Sequence, residues 1–206
     1  MPFKPSQHAL FLFVALLCLN ACSPLKTKNP NNYLLTTPAD LHLSFTGRGA
    51  ASSAMLMSAM GPAGIAVGLA IDVGIGKDIE KLGFAEGLNA DVLFASAVGA
   101  INKPSKLFFS SKQKPHFHLQ KIGFVELSGQ DNLITPAIEL SVVRADWKKT
   151  YRYPDDFHPA ANTPLPSASL EQLKSPQSPA RTLVQQALAA VLQQASADWL
   201  RAVPSA

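Results

Sequence analysis

Residues 133–153, LITPAIELSVVRADWKKTYRY, carry the reading on which the fold turns. Ile134, Ile138, Leu140 and Val142 recur on one side of an extended chain, and Thr135, Glu139 and Ser141 on the other. That period of two marks a half-buried strand. Pro136 puts the beginning of the strand at an edge or a bulge, because proline has no amide hydrogen to give a neighbour. From Trp147 the alternation resumes, with Trp147, Tyr151 and Tyr153 opposed to Lys148, Thr150 and Arg152. A tight turn at Ala145–Asp146 therefore joins two antiparallel strands.

Upstream, Phe117–Leu127 (FHLQKIGFVEL) is rich in aromatic and β-branched residues, and Gly129–Asn132 supply a turn before Leu133. The centre of the chain thus reads as an antiparallel meander. Asp40–Thr46 (DLHLSFT) alternates Leu41, Leu43 and Phe45 with His42 and Ser44 and reads as the first strand. Lys77–Ala100 has helical spacing through Ile79, Leu82, Leu88, Val92 and Ala95, weakened by Gly83 and Gly87. At the far end Ser178 is placed to cap a helix and Pro179 to open it. Val184, Leu188, Val191, Ala195 and Trp199 then form one apolar stripe. Asn102–Pro115, and residues 154–179 with six prolines, read as loops outside the core. The order β-α-β-β-β-α predicts a single α+β domain over residues 39–206, an antiparallel sheet of about four strands with helices packed on one face.

The segment 49–76 is rich in Gly, Ala and Met, and from Gly49 to Ile71 it has no charged residue. Gly61, Gly64 and Gly68 share one side if the segment is helical. In one reading it enters lipid or packs between subunits of an oligomeric pore or export complex. In the other it is a loop and a packed helix. Leu56, Ile65, Val67, Leu69 and Ile71 together favour insertion by only about 1.5–3 kcal/mol, which one central charge such as Asp72 cancels. Packing is therefore the expectation. Met55, Met57, Met60, Gly61, Gly64 and Gly68 form the expected surface for a partner or for self-association, because thioether side chains adapt to irregular contacts.

The amino end locates the protein. Ala9–Leu19 (ALFLFVALLCL) is an unbroken apolar run, about 16 Å long as a helix and too short for a bilayer core of about 30 Å. It has the length of a signal-peptide core. Leu19-Asn20-Ala21-Cys22 follows and resembles the lipobox of bacterial lipoproteins, with Leu19 and Ala21 matching and Asn20 less typical. The resemblance covers about the first 23 residues. It implies removal of residues 1–21, a diacylglycerol and an N-acyl chain on Cys22, and, from Ser23, sorting to the periplasmic side of the outer membrane. Two or more acyl chains hold a protein on a membrane where one does so marginally. Cys18 then leaves with the signal, and the mature chain has neither thiol nor disulfide. Residues 22–38, polar and proline-bearing, read as a flexible lipidated tether.

Composition narrows the rest. The chain has 206 residues, 47% apolar and 16% charged, with a formal net charge of +4. That is too little charge for a disordered protein, and no basic run with interleaved aromatics points to nucleic acid. Gly74-Ile75-Gly76 lacks the third glycine of a dinucleotide loop. His116 and His118, two apart on a strand, share a face, but zinc needs three or four ligands and only His42 and His158 remain. A hydrolytic or metal site built from His116, His118 and His158 is the least favoured reading. Asp155-Asp156 reads as a solvated turn, and Trp147, Tyr151 and Tyr153 as either an aromatic ligand face or a half-buried strand. The expectation is a membrane-tethered, non-enzymatic envelope module. It has no catalytic residue, metal or cofactor beyond its acyl chains, and another envelope protein, or a second copy, is its partner.

Overall fold

The computed structural model describes residues 33–47, 57–101, 108–109, 114–127, 132–157 and 164–202. The elements are β1 (Leu34–Thr36), β2 (Leu43–Thr46), α1 (Pro62–Gly83), α2 (Ala90–Ala100), β3 (His116–Glu126), β4 (Leu133–Arg144), β5 (Trp147–Tyr153), β6 (Ala168–Ser169), α3 (Leu170–Leu173) and α4 (Ala180–Ala202). The meander is present as read: β3, β4 and β5 are consecutive antiparallel neighbours, and the turn between β4 and β5 holds Ala145 at φ 50°.

The sheet departs from the expected four antiparallel strands. It has six and is mixed, because β1 and β2 both run parallel to β3 along the same side, one beside each half of it. β6 adds a short antiparallel partner to the beginning of β4. A bulge at Gln120 reverses which residues of β3 face inward: Phe117 and Leu119 before it, Ile122 and Phe124 after it. Without that extra residue the second half of the strand would turn its apolar side to solvent.

Three expected boundaries move. The tether ends before Tyr33, which is 4% exposed and packs against Phe94, Phe109 and Phe117, and β1 follows at once. The stretch read as a loop before Pro115 brings Phe108 and Phe109 into the same aromatic cluster. Within residues 154–179, Ala168 and Leu173 are buried, and α3 is opened by a reciprocal cap. There the Ser169 hydroxyl accepts from the Gln172 amide, and the Gln172 side chain accepts from the Ser169 amide. Local capping thus makes structure where proline count suggested none.

α4 lies over β4 and β5 with Val184, Leu188, Val191 and Ala195 buried, as their spacing requires. The preceding helical region is two helices. α1 continues through Gly74-Ile75-Gly76 and ends at Gly83, and Gly87, at φ 82°, turns the chain before α2. In α2 the inward residues are Leu93, Phe94 and Ala97, while Val92, expected on the stripe, is exposed.

α1 does not sit on a sheet face. It runs along the open edge of β2, held by residues four apart on one side of the helix. Asp72 accepts from the Gly47 amide at 3.2 Å, and Glu80 accepts from the Leu43 amide at 2.8 Å. Between them Gly76 comes so close that a Cβ would stand 2.8 Å from the Leu43 carbonyl oxygen and 3.3 Å from the Phe45 nitrogen. Two carboxylates thereby satisfy edge amides that would otherwise be open to another strand. The contrast with Gly74, exposed and with nothing within 4 Å of its Cβ position, gives a matched pair of expected results. Gly74→Ala should stabilise the protein by about 1 kcal/mol through helix propensity. Gly76→Ala should destabilise it by about 1–3 kcal/mol, since the contacted atoms are backbone and overpacking outweighs propensity. Urea unfolding of the two variants should shift in opposite directions; equal shifts would remove the close approach from the account.

Candidate functional site

α1 is built inside out. Pro62 takes its first turn, where a missing amide hydrogen costs nothing. Gly64, Gly68, Asp72 and Gly76 are buried, so the small residues face the protein. The large aliphatic side chains face away: Ile65 is 42% exposed, Leu69 61% and Val73 53%, with Val67 and Ile71 also open. An ordinary amphipathic helix has the reverse arrangement. From Pro62 to Gly76 the one charged residue is Asp72, which is buried. The outer face is therefore uncharged over about 22 Å of helix.

Of the residues expected at a partner surface, Met57 and Met60 are exposed on a helical turn just before α1. Gly61 stands at φ 61° with nothing within 4 Å of its Cβ position. Gly64 and Gly68 face inward, so the outward surface belongs to the aliphatic residues between them. The inward glycines agree with the packed-helix expectation, and Gly64 and Gly68 are thereby removed from the expected partner surface. The signal for the packed side was Asp72, four residues from both Gly68 and Gly76: an acid on the glycine side needs a protein partner. Met55 lies outside the described residues, as do Cys22, Leu19, Asn20, Ala21 and Ser23.

The sheet face away from α4 is the second surface. The strand registers set side chains there in rows: Thr36, His118, Ser141 and Thr150, then His116, Val143 and Lys148. The His116 and His118 rings lie 4.0 Å apart between centroids, and Thr36 Oγ1 is 2.7 Å from His116 Nε2. Burial, with His116 and then Lys148 adding their charges, holds the His118 imidazole below its ordinary pKa. A cleft of about 400 Å³ opens beside them. Farther along the face Lys121, Glu139 and Arg152 border a smaller cleft of about 150 Å³, and Arg152 pairs with Glu139 at 3.3 Å.

The other candidate metal ligands are not brought to this pair. His42 Nδ1 lies 2.8 Å from the Asp40 main-chain oxygen, and His158 lies outside the described residues. Among the described residues no three His, Cys, Asp or Glu side chains gather as a metal site. Asp155 and Asp156 are exposed in a turn, where Asp156 accepts from the Arg152 amide at 2.6 Å. Tyr151 and Tyr153 point into the core, so Trp147, Tyr151 and Tyr153 are strand packing and not a ligand face.

Beneath the exposed surfaces, Asp198 on α4 gathers four donors. Lys149 Nζ and Arg201 approach at 2.6 Å, Gln194 at 2.9 Å and the Tyr151 hydroxyl at 3.0 Å. Every acceptor position faces a partner on the protein's own elements, which makes this a structural junction between α4 and β5.

Comparison with known proteins finds no matching family, no similar curated protein and no similar solved structure.

Proposed function

We propose that this chain is a lipid-anchored envelope protein whose domain works as a non-enzymatic assembly module, docking through the outer face of α1. Acyl chains on Cys22 would tether the domain to the periplasmic side of the outer membrane, with residues 23–32 as the spacer. The observation that carries the reading is the reversed polarity of α1, because a row of exposed Ile, Val and Leu without charges is what an interaction surface requires. Helices that lie in a lipid surface carry Lys and Arg along their polar side, whereas in α1 Lys77 and Lys81 come only after the aliphatic row, interleaved with Asp78 and Glu80. A protein partner offering an apolar groove is therefore preferred over lipid. Among the described residues no helix is long and apolar enough to cross a membrane.

The experiment places a photocrosslinking residue at Leu69 and, as a remote control, at Arg152, in membrane-bound protein. A discrete adduct from Leu69 only, lost in Ile65→Glu and Val73→Glu variants that stay folded, is the expected result. Adducts to phospholipid at Leu69 would convert the surface into a membrane contact, and a same-chain dimer would make the partner a second copy. In parallel Cys22→Ser should release the protein from the membrane fraction; retention of the unlipidated variant would overturn the anchor. Cysteines placed at Ala59 and Ala66 should react with a membrane-impermeant thiol reagent when no partner is bound.

A further inference from the structure

The cleft on the open sheet face has a composition that the docking role of α1 does not use. It is bordered by Thr36 and Pro38 from the β1 end, His118 and Gln120 from β3, Ser141 from β4 and Lys148 from β5. The register places Thr36, His118, Ser141 and Thr150 side by side in one row, and His116 with Lys148 in the next. Ser141 and Thr150 hydroxyls are 2.6 Å apart, so one donates to the other and one hydroxyl hydrogen remains available at the cleft. The polar side chains that line the cleft are the Lys148 ammonium, the His118 imidazole, the Gln120 amide and the hydroxyls of Thr36, Thr37 and Ser141, with the His116 ring 4.0 Å from that of His118 and Thr150 bonded to Ser141 beside them.

The surrounding charges have the same sense. On β3 the next outward residue is Lys121; on β5 it is Arg152; on β4 it is Glu139, which is tied to Arg152 at 3.3 Å. β1 adds no charged side chain to the face. The segment after β1 carries Asp40 and His42, and the one before β3 carries Lys114. Among the described residues no acidic side chain borders the cleft. A cation would meet Lys148 with two imidazoles as its ligands, short of the three or four that zinc takes. An anion would meet a lysine, two ring nitrogens and hydroxyls.

We propose that this cleft binds a phosphate-type oxyanion, held by Lys148 and His118, with the one hydroxyl hydrogen left by the Ser141–Thr150 pair, and that of Thr36 when His116 Nε2 donates to it, as neutral donors. Its binding is coupled to proton uptake. Burial, then the charges of His116 and Lys148, disfavour a charge on His118 in the empty cleft. An oxyanion seated among them reverses that preference, so a proton enters with it and affinity rises as pH falls. The site is independent of the α1 surface, on a different element and a different face.

Sulfate is the first probe, because its own charge does not change between pH 5.5 and 7.5. Titrated into folded, isotope-labelled protein and read on the histidine ring resonances, it should give saturable shifts at His116 and His118. Binding should be at least about tenfold tighter at pH 5.5 than at pH 7.5, the limit being about tenfold per pH unit for each proton taken up. Lys148→Gln and His118→Gln should each weaken it at least about tenfold, whereas His42→Gln should leave it unchanged. Lys148 is exposed, so its loss tests the site without endangering the fold. Methyl phosphate and vesicles containing phosphatidylglycerol, each competed against sulfate, separate a soluble ester from a lipid headgroup as the source. Non-saturating shifts, equal affinity at the two pH values, or a saturable response to Zn²⁺ with none to sulfate would each overturn the proposal.

Discussion

Asp198→Ala is expected to lower stability by about 2–3 kcal/mol at neutral pH, a fall of roughly 5–10 °C in Tm for a domain of this size. The Asp198 side chain is 12% exposed and is the shared acceptor for Lys149, Arg201, Gln194 and Tyr151. Lys149 and Arg201 are largely exposed and return to water at little cost. The Tyr151 hydroxyl is the expensive loss, because Tyr151 is fully buried and its donor would have no acceptor. Asp198→Asn keeps an oxygen for that hydroxyl and should cost about half as much.

The pH dependence of the same variant fixes the mechanism. Burial alone would push the Asp198 carboxyl up, but hydrogen bonds from Lys149 and Tyr151, the Lys149 charge and the Gln194 amide outweigh it and hold the group below its ordinary pKa. A carboxyl with a lowered folded pKa stabilises the protein above its unfolded value, near 4, and loses that contribution as pH falls through the folded value. The gap between the native protein and Asp198→Ala should therefore be constant from about pH 8 to 5 and close below about pH 4. Burial and Asp198 push the Tyr151 phenol well above its ordinary range. Its share is present below about pH 10 and lost only as the folded phenol ionises at higher pH. Urea midpoints across this range decide the matter: a gap that persists undiminished at pH 3 would assign the loss to packing instead of charge.

The sequence showed β4, β5, α4 and the inward stripe of each, because every one is a long element with one dominant periodicity. It did not show which strands lie beside β3. Parallel neighbours such as β1 and β2 are set by long-range pairing, and LLT at Leu34–Thr36 is too short for alternation to register. Polar residues before it disguised Tyr33 as part of a tether, although its ring belongs to an aromatic cluster assembled from five separate segments. For α1 the difficulty was different. Glycine and alanine give almost no hydrophobic periodicity, so the one sequence signal for the packed side was Asp72 among the glycines, and the approach of Gly76 to the β2 backbone makes it plain. The candidate cleft was half legible: the i, i+2 spacing put His116 and His118 on one face, but Lys148, Thr36 and Ser141 come from three other strands and need the register.

That edge arrangement also bears on the proposed docking role. Asp72 and Glu80 fix α1 at two points about two turns apart, so the aliphatic face between Ile65 and Val73 is presented by a helix whose inner side is already committed. A partner meeting such a face loses little conformational freedom in the helix itself, which favours affinity from a modest apolar area. The same geometry explains why the helix keeps its aliphatics outside: rotating them inward would carry Gly76, whose missing Cβ lets the helix reach the β2 backbone, away from that strand.

Arg144→Ala should cost about 3–5 kcal/mol, as much as truncating a fully buried aromatic residue. Arg144 ends β4 and is 3% exposed. Its guanidinium lies 3.7 Å from the Trp199 ring centroid and 4.9 Å from that of Phe108, and donates to the Phe108 carbonyl oxygen at 2.7 Å. One side chain thus ties the end of α4 and the Phe108 segment to the sheet. Burial lowers its pKa, but arginine remains charged at any working pH. Its loss removes a desolvated cation–π contact worth about 2 kcal/mol, leaves a buried carbonyl without its donor and opens a cavity. Arg144→Lys keeps the charge without the planar stack and should recover less than half of the loss, while Arg144→Met keeps the stem alone. In a Trp147→Phe background, Trp199 is the one remaining tryptophan, and its emission should shift to longer wavelength in Arg144→Ala before any denaturant is added. Urea unfolding followed at Trp199 then measures the cost. If Arg144→Lys matched the native protein in both readouts, charge alone would suffice and the stacked geometry would carry no stability.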